Sequence, residues 1–169
     1  MTYCTISNFL KKNSLFVLFA VLVAACASPP EYPDTPAIEF LSMSKDTLQR
    51  GSFFNDTTFV KFSFTDGDGD IGDEDSLQLV VIDSRNNFEN EFRIPFVPEF
   101  GDSGLKGEIT VRLFTSCCIF PDSLYLEGCT DVLASMPYDE VTFDIYIKDR
   151  KGHESNTITT TPVYIRCFD

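Results

Sequence analysis

The feature that most constrains this chain is a two-residue alternation of apolar and polar side chains, which begins at Ala37 and recurs almost to the C-terminus. In the clearest run, residues 58–65, Val60, Phe62 and Phe64 occupy alternate positions. Because successive side chains of a strand point to opposite faces, this pattern predicts antiparallel strands with one buried and one wet face. Similar runs lie at 92–96, 108–113 and 141–148.

Three further segments complete the predicted strands. Residues 77–82 are nearly all apolar, as in a central strand. The other two predicted strands lie at residues 38–41 and 157–166. Pro162 interrupts the last, so that strand is expected at an edge or with a bulge. About seven strands predict an all-β fold, an antiparallel two-sheet sandwich, for residues 37–169. Residues 123–136 are ambiguous and allow one helical turn.

The N-terminus has the pattern of an export signal. Lys11 and Lys12 precede an unbroken apolar run at 15–25, which is 11 residues long. A membrane-spanning helix needs about 20 residues, whereas this length after a basic pair is typical of a secretory signal. A spanning helix with an incidental cysteine is the alternative interpretation.

The run ends in Val23-Ala24-Ala25-Cys26, which resembles the lipobox of bacterial lipoproteins. The resemblance implies cleavage before Cys26 and acylation of its sulfur and of the new N-terminus, which gives stable membrane anchoring when two or three chains are attached. It therefore divides the chain into a signal peptide at 1–25, an acylated tether at 26–36 and the folded domain at 37–169. Four prolines in residues 27–36 favour an extended tether of roughly 30 Å. The expected location is the cell envelope, at the outer membrane, on either its periplasmic or its outer face.

The net charge narrows the range of partners. The whole chain carries −13, and removal of the signal leaves 11 basic and 26 acidic residues, a charge of −15. Such a domain repels phosphate backbones, so nucleic acid is not an expected partner. Its acidity is compatible with divalent cations, although it also serves simply to keep an exported protein soluble.

Two segments extend the resemblance. Residues 64–72 (FTDGDGDIG) resemble a segment of small Gram-negative lipoproteins of unassigned function, and so do residues 145–156. The second segment is also similar to the last hairpin of immunoglobulin-like bacterial surface domains. The likeness covers most of the chain except 115–139. It implies an immunoglobulin-like or fibronectin-like sandwich and no particular activity.

The first of these segments opens a strongly acidic loop. Residues 66–75 hold six carboxylates, with Asp66, Asp68 and Asp70 separated by glycines. Calcium takes six to eight hard oxygen ligands, and aspartates at this spacing can turn several oxygens toward one centre. The EF-hand pattern is excluded, since its sixth position is Ile71 and its twelfth is Leu77.

A sandwich supplies a way to complete the acidic site. The loop after the second strand lies at the same end as the loop between the last two strands, which brings in Asp149 and, as a weaker candidate, Glu154. The hypothesis is a structural calcium site formed by Asp66, Asp68, Asp70 and Asp149. A solvated glycine-rich turn without an ion is the alternative.

Four cysteines remain after the signal and the anchor: Cys117, Cys118, Cys129 and Cys167. An even number in an exported protein predicts two disulfides. Adjacent cysteines rarely pair with each other, which leaves two connectivities. We favour Cys118–Cys129 with Cys117–Cys167. A four-thiolate zinc site is the alternative, although its usual spacing is missing.

No arrangement of residues points to catalysis. The one histidine, His153, lies in a predicted turn, and no phosphate-binding or dinucleotide motif is present. The expected protein is therefore not an enzyme. Three function classes remain: a lipid-anchored binding, adhesion or complex-accessory module, a calcium-stabilised structural envelope protein, and a carbohydrate-binding accessory. Their partners would be another envelope protein or a glycan.

Overall fold

The computed structural model describes residues 31–52, 55–98 and 104–168. The predicted signal peptide, Cys26 and the first part of the predicted tether lie outside these residues. Within them no helix is both long and apolar enough to cross a membrane.

The described residues form an all-β domain of ten strands. The strands are β1 (Ala37–Met43), β2 (Thr47–Gln49), β3 (Thr57–Asp66), β4 (Leu79–Asp83), β5 (Phe88–Phe92), β6 (Leu105–Phe114), β7 (Tyr138–Val141), β8 (Phe143–Ile147), β9 (Ile158–Thr159) and β10 (Val163–Arg166). They build three sheets, ordered β1-β3-β6, β2-β10-β7 and β5-β4-β8-β9. All pairs are antiparallel except β2 with β10. This architecture confirms the all-β prediction and is consistent with a β-sandwich.

The period-two pattern identified the inner strands correctly. In β3 the apolar side chains of Val60, Phe62 and Phe64 are buried, and the side chains between them are more exposed. These residues pack with Ile145 and Ile147 of β8 in one core cluster. Val60, Phe62 and both isoleucines are completely shielded from solvent, so the alternation marks the face that drives folding.

The predicted strand at 92–96 is wrong in its position. The strand in this region is β5, which ends at Phe92. Glu89, Asn90 and Glu91 lie between the two phenylalanines at its ends, and all three are exposed. This exposure fits the position of β5 at the edge of its sheet. Ile94 lies in the irregular segment after β5, and its side chain is nevertheless buried. An apolar residue at this position therefore indicates burial but not a strand.

Pro162 does interrupt the last predicted strand. It separates β9, which pairs with β8, from β10, which lies between β2 and β7 in another sheet. Proline cannot donate a ladder hydrogen bond, so the chain leaves one sheet here and joins the next. The short strands β2 and β7 were not predicted. The ambiguous region near 123–136 contains a single 3-10 turn, Asp122–Leu124.

The favoured disulfide connectivity is wrong. The structure pairs Cys117 with Cys129 and Cys118 with Cys167, at Cα separations of 4.7 and 5.9 Å. Cys118 and Cys167 are buried in the core cluster, whereas Cys117 and Cys129 are partly exposed. The two adjacent cysteines therefore form bridges in different parts of the domain. The Cys118–Cys167 bridge lies in the core and holds the C-terminal segment, whereas the Cys117–Cys129 bridge closes a loop at the surface.

A buried arginine ties two sheets together. Arg85, which follows β4, forms ion pairs with Asp83 at 2.6 Å and with Asp139 of β7 at 2.7 Å. It also donates to the hydroxyl of Ser116 at 2.8 Å. Both carboxylates are nearly buried, so the guanidinium compensates charges that would be costly alone.

Candidate metal centre

The acidic loop begins at the end of a buried strand. Asp66 is the last residue of β3, and the chain then turns through Asp68 and Asp70. Gly69 has a φ of +71°, in the left-handed region that favours glycine. This turn lets the aspartates on either side of Gly69 converge, which a regular strand would not allow.

The fourth carboxylate comes from the neighbouring sheet. Leu79 of β4 pairs with Ile147 of β8, so the chain entering β4 and the chain leaving β8 lie at the same end. Asp149 follows β8 by two residues, and the Arg150 N–H donates to the Asp70 carbonyl at 3.2 Å. The topology thus brings the two loops into direct contact, as the sandwich argument predicted.

The four predicted residues converge on one point. One carboxylate oxygen from each of Asp66, Asp68, Asp70 and Asp149 lies within 4.8 Å of the others. Asp66 is completely buried, Asp70 and Asp149 are 4% exposed, and Asp68 is partly exposed. This spacing would allow all four oxygens to contact a single cation.

Three carboxylate oxygens of these aspartates are buried without a hydrogen-bond partner among the described residues. They are Oδ1 of Asp66, Asp68 and Asp70. The other oxygen of Asp66 accepts the Asp70 N–H at 2.9 Å. Buried polar atoms are nearly always paired in folded proteins, because a buried oxygen without a partner is costly. Three such atoms in one cluster could accept a cation as their shared partner.

The electrostatics of the cluster point the same way. Burial, together with the charges of Asp68 and Asp70, raises the pKa of Asp66 to about 6. Burial and the charges of Asp149 and Asp68 also raise the pKa of Asp70. The site therefore resists holding all its negative charge without a cation.

Asp149 is held in place by its own turn. The His153 N–H donates to Asp149 Oδ1 at 2.8 Å, and His153 Nδ1 lies 2.7 Å from Oδ2. Gly152, at a φ of +89°, lets the chain reverse between the two residues. A histidine that fixes a carboxylate in this way would orient it toward a metal ion bound at the cluster. The sequence around His153 predicts only an exposed turn residue.

Other acidic residues lie outside the cluster. Asp73 instead accepts hydrogen bonds within its own turn, from the Asp75 N–H at 3.0 Å and the Ser76 hydroxyl at 2.7 Å. Glu154, the weaker candidate, pairs with Lys148 at 2.9 Å. The candidate centre thus has four carboxylates from two loops and does not include Glu154.

The folded end of the predicted tether packs against the same loop. The Gly67 N–H donates to the Pro33 carbonyl at 2.7 Å. A Cβ at Gly67 would lie 2.3 Å from the Tyr32 carbonyl oxygen, so only glycine fits there. The chain therefore enters the domain beside the candidate metal centre.

Comparison of the chain with protein-family models, with curated proteins and with solved structures found no match.

Proposed function

We propose that this protein is a lipid-anchored envelope protein whose β domain is stabilised by one calcium ion. The ion would join the loop after β3 to the turn after β8. The observation that carries the proposal is that one carboxylate oxygen from each of four aspartates lies within 4.8 Å of the others. In the described part of the chain, the Oδ1 atoms of Asp66, Asp68 and Asp70 are also buried without a hydrogen-bond partner.

The ligand chemistry favours calcium among the common metals. All four proposed ligands are carboxylates, the hard oxygen donors that calcium prefers, whereas zinc sites are built mainly from thiolate and imidazole. Calcium also tolerates irregular geometry and completes its shell with water or backbone carbonyls. A site assembled from two irregular turns suits it better than magnesium, which demands near-ideal octahedral geometry.

The anchoring part of the proposal rests on the sequence. The basic pair, the apolar run and the lipobox-like tetrapeptide ending in Cys26 support export and acylation. The three open sheets and the hairpin-like segment at 145–156 support an immunoglobulin-like sandwich. The Gly67 N–H donates to the Pro33 carbonyl, so the chain that follows the proposed tether enters the domain beside the proposed calcium site.

Calorimetric titration and thermal unfolding of the mature protein in detergent test the calcium site. We expect one calcium ion to bind and to raise the melting temperature, because a ligand that binds only the folded state stabilises it. Asp70→Asn removes one ligand charge and should weaken binding by more than about tenfold. Asp75→Asn is the matched control, since Asp75 is exposed and lies outside the cluster. Neither heat nor a thermal shift at millimolar calcium would refute the proposal.

A second candidate function is a non-catalytic binding or complex-accessory module. The segment closed by the Cys117–Cys129 bridge exposes several apolar side chains, including Tyr125, which is 93% exposed, and Leu124. A disulfide-braced loop with an exposed aromatic side chain is a suitable contact surface for a protein or a glycan. Co-purification from detergent-solubilised envelopes, with Tyr125→Ala as the comparison, tests this candidate.

A further inference from the structure

We propose that Lys151 is a built-in substitute for the metal, and that calcium binds by displacing its ammonium group from the acidic cluster. The inference deepens the proposed function and rests on it. Lys151 would compete with calcium for the carboxylates and would thereby set the affinity of the site for the ion.

The contacts of Lys151 carry the inference. Its Nζ atom forms an ion pair with Asp68 Oδ2 and lies 4.0 Å from Asp70 Oδ2. The Asp70 side chain is only 6% exposed, whereas that of Lys151 is 58% exposed. The ammonium group therefore reaches the outer edge of the cluster from solvent.

The lysine only partly compensates the cluster. The Oδ1 atoms of Asp66, Asp68 and Asp70 remain unpartnered despite its presence. The ammonium group contacts Asp68 and approaches Asp70 at the outer edge of the cluster, so it does not reach the inner oxygens. A divalent ion that bonded the inner oxygens would repel the ammonium group and would leave it free to return to water.

The local fold makes such an exchange possible. Lys151 lies in the same turn as Asp149, between this ligand and Gly152, whose N–H donates to the Asp149 carbonyl at 3.3 Å. A Cβ at Gly152 would meet no atom within 4 Å. The turn is open around this point, so the lysine side chain has room to swing away while Asp149 stays in place.

Calcium titration of charge variants tests the proposal on the mature protein. Lys151→Gln should lower the dissociation constant about tenfold, because the competing charge is gone. The same variant should melt at a lower temperature in metal-free buffer. Lys151→Arg keeps the charge and should bind calcium more like the parent than like Lys151→Gln.

Lys148→Gln is the matched control. Lys148 lies in the same hairpin and loses the same charge, but it pairs with Glu154 instead of the cluster. Equal calcium affinities for Lys151→Gln and Lys148→Gln would overturn the role of Lys151 and leave the calcium site intact. Absence of calcium binding in the parent and in every variant would overturn the site itself. Calcium binding by Lys151→Gln, but not by the parent or by Lys148→Gln, would support the competition between Lys151 and calcium.

Discussion

At the scale of single residues, the ionisation of Asp66 destabilises the metal-free protein. Its pKa is raised to about 6, against about 3.9 in an unfolded chain. Between these values the folded state binds more protons, so the stability of the metal-free protein falls as pH rises through about 6. The raised pKa of Asp70 acts in the same direction. Asp68, whose pKa is lowered by its bond to Lys151, opposes them only at lower pH.

Urea denaturation of chelator-treated protein at pH 5 and pH 7.5 measures this effect. Relative to the Asp66→Asn variant, the parent should lose stability between the two values, and saturating calcium should remove the loss. A parent protein that gained stability over this interval as much as Asp66→Asn does would contradict the interpretation.

His153 gives a second prediction at this scale. Its Nδ1 and its backbone N–H hold both oxygens of Asp149. Loss of such an orienting partner costs about 10- to 100-fold in metal affinity, so His153→Ala should weaken calcium binding by that range in a calorimetric titration. Glu154→Gln is the control, because its carboxylate pairs with Lys148 outside the cluster. Equal affinities for the two variants would rule out the orienting role.

The sequence predicted that the four aspartates lie together, but it did not predict that His153 and Lys151 contact them. Alternate spacing with glycine indicated Asp66, Asp68 and Asp70, and sandwich topology indicated Asp149. His153 and Lys151 reach the site only because the chain reverses at Gly152 with a positive φ. A Lys-Gly-His sequence after a candidate ligand is a signal of such a turn, but it does not fix where the side chains point.

At the scale of elements, removal of one cysteine distinguishes the observed disulfide pairing from the alternative one. In Cys129→Ala, the thiol left free should be that of Cys117, since the structure pairs these two residues. Alkylation followed by fragmentation of the peptide that contains Cys117 and Cys118 identifies which cysteine was labelled. A label on Cys118 would support the rejected connectivity.

The two bridges should also differ in their contribution to stability. The Cys118–Cys167 bridge spans 49 residues and the Cys117–Cys129 bridge spans 12. Loop-closure entropy gives about 4 kcal/mol for the longer loop and about 3 kcal/mol for the shorter one. Double alanine variants compared by urea denaturation should follow this order, and the reverse order would contradict it.

Element prediction from sequence succeeded where burial follows the strand period. The core strands β3, β6 and β8 bury alternate residues and were found. β5 failed because an edge strand with Glu89 and Glu91 lacks a buried face. The cysteine pairing also failed, since nothing in the spacing shows that Cys118 faces the core beside Cys167.

At the scale of the whole molecule, the predicted tether would connect the proposed lipid anchor to the folded domain. Cys26 is expected to carry the lipid, so Cys26→Ser should move the protein from the detergent phase to the aqueous phase in a partition assay. The Cys4→Ser variant is the control, because Cys4 lies within the predicted signal peptide and should be lost on processing. Detergent partitioning of Cys26→Ser equal to that of the parent would contradict the anchor.

The central claim is that one calcium ion joins the loop after β3 to the turn after β8. A crystal structure of the protein grown with calcium, with anomalous data to identify the ion, tests it most directly. We predict a single ion at about 2.3–2.6 Å from oxygens of Asp66, Asp68, Asp70 and Asp149, with the Lys151 ammonium group withdrawn from Asp68. A fully occupied calcium ion elsewhere, or the same four carboxylates without an ion at saturating calcium, would contradict the claim.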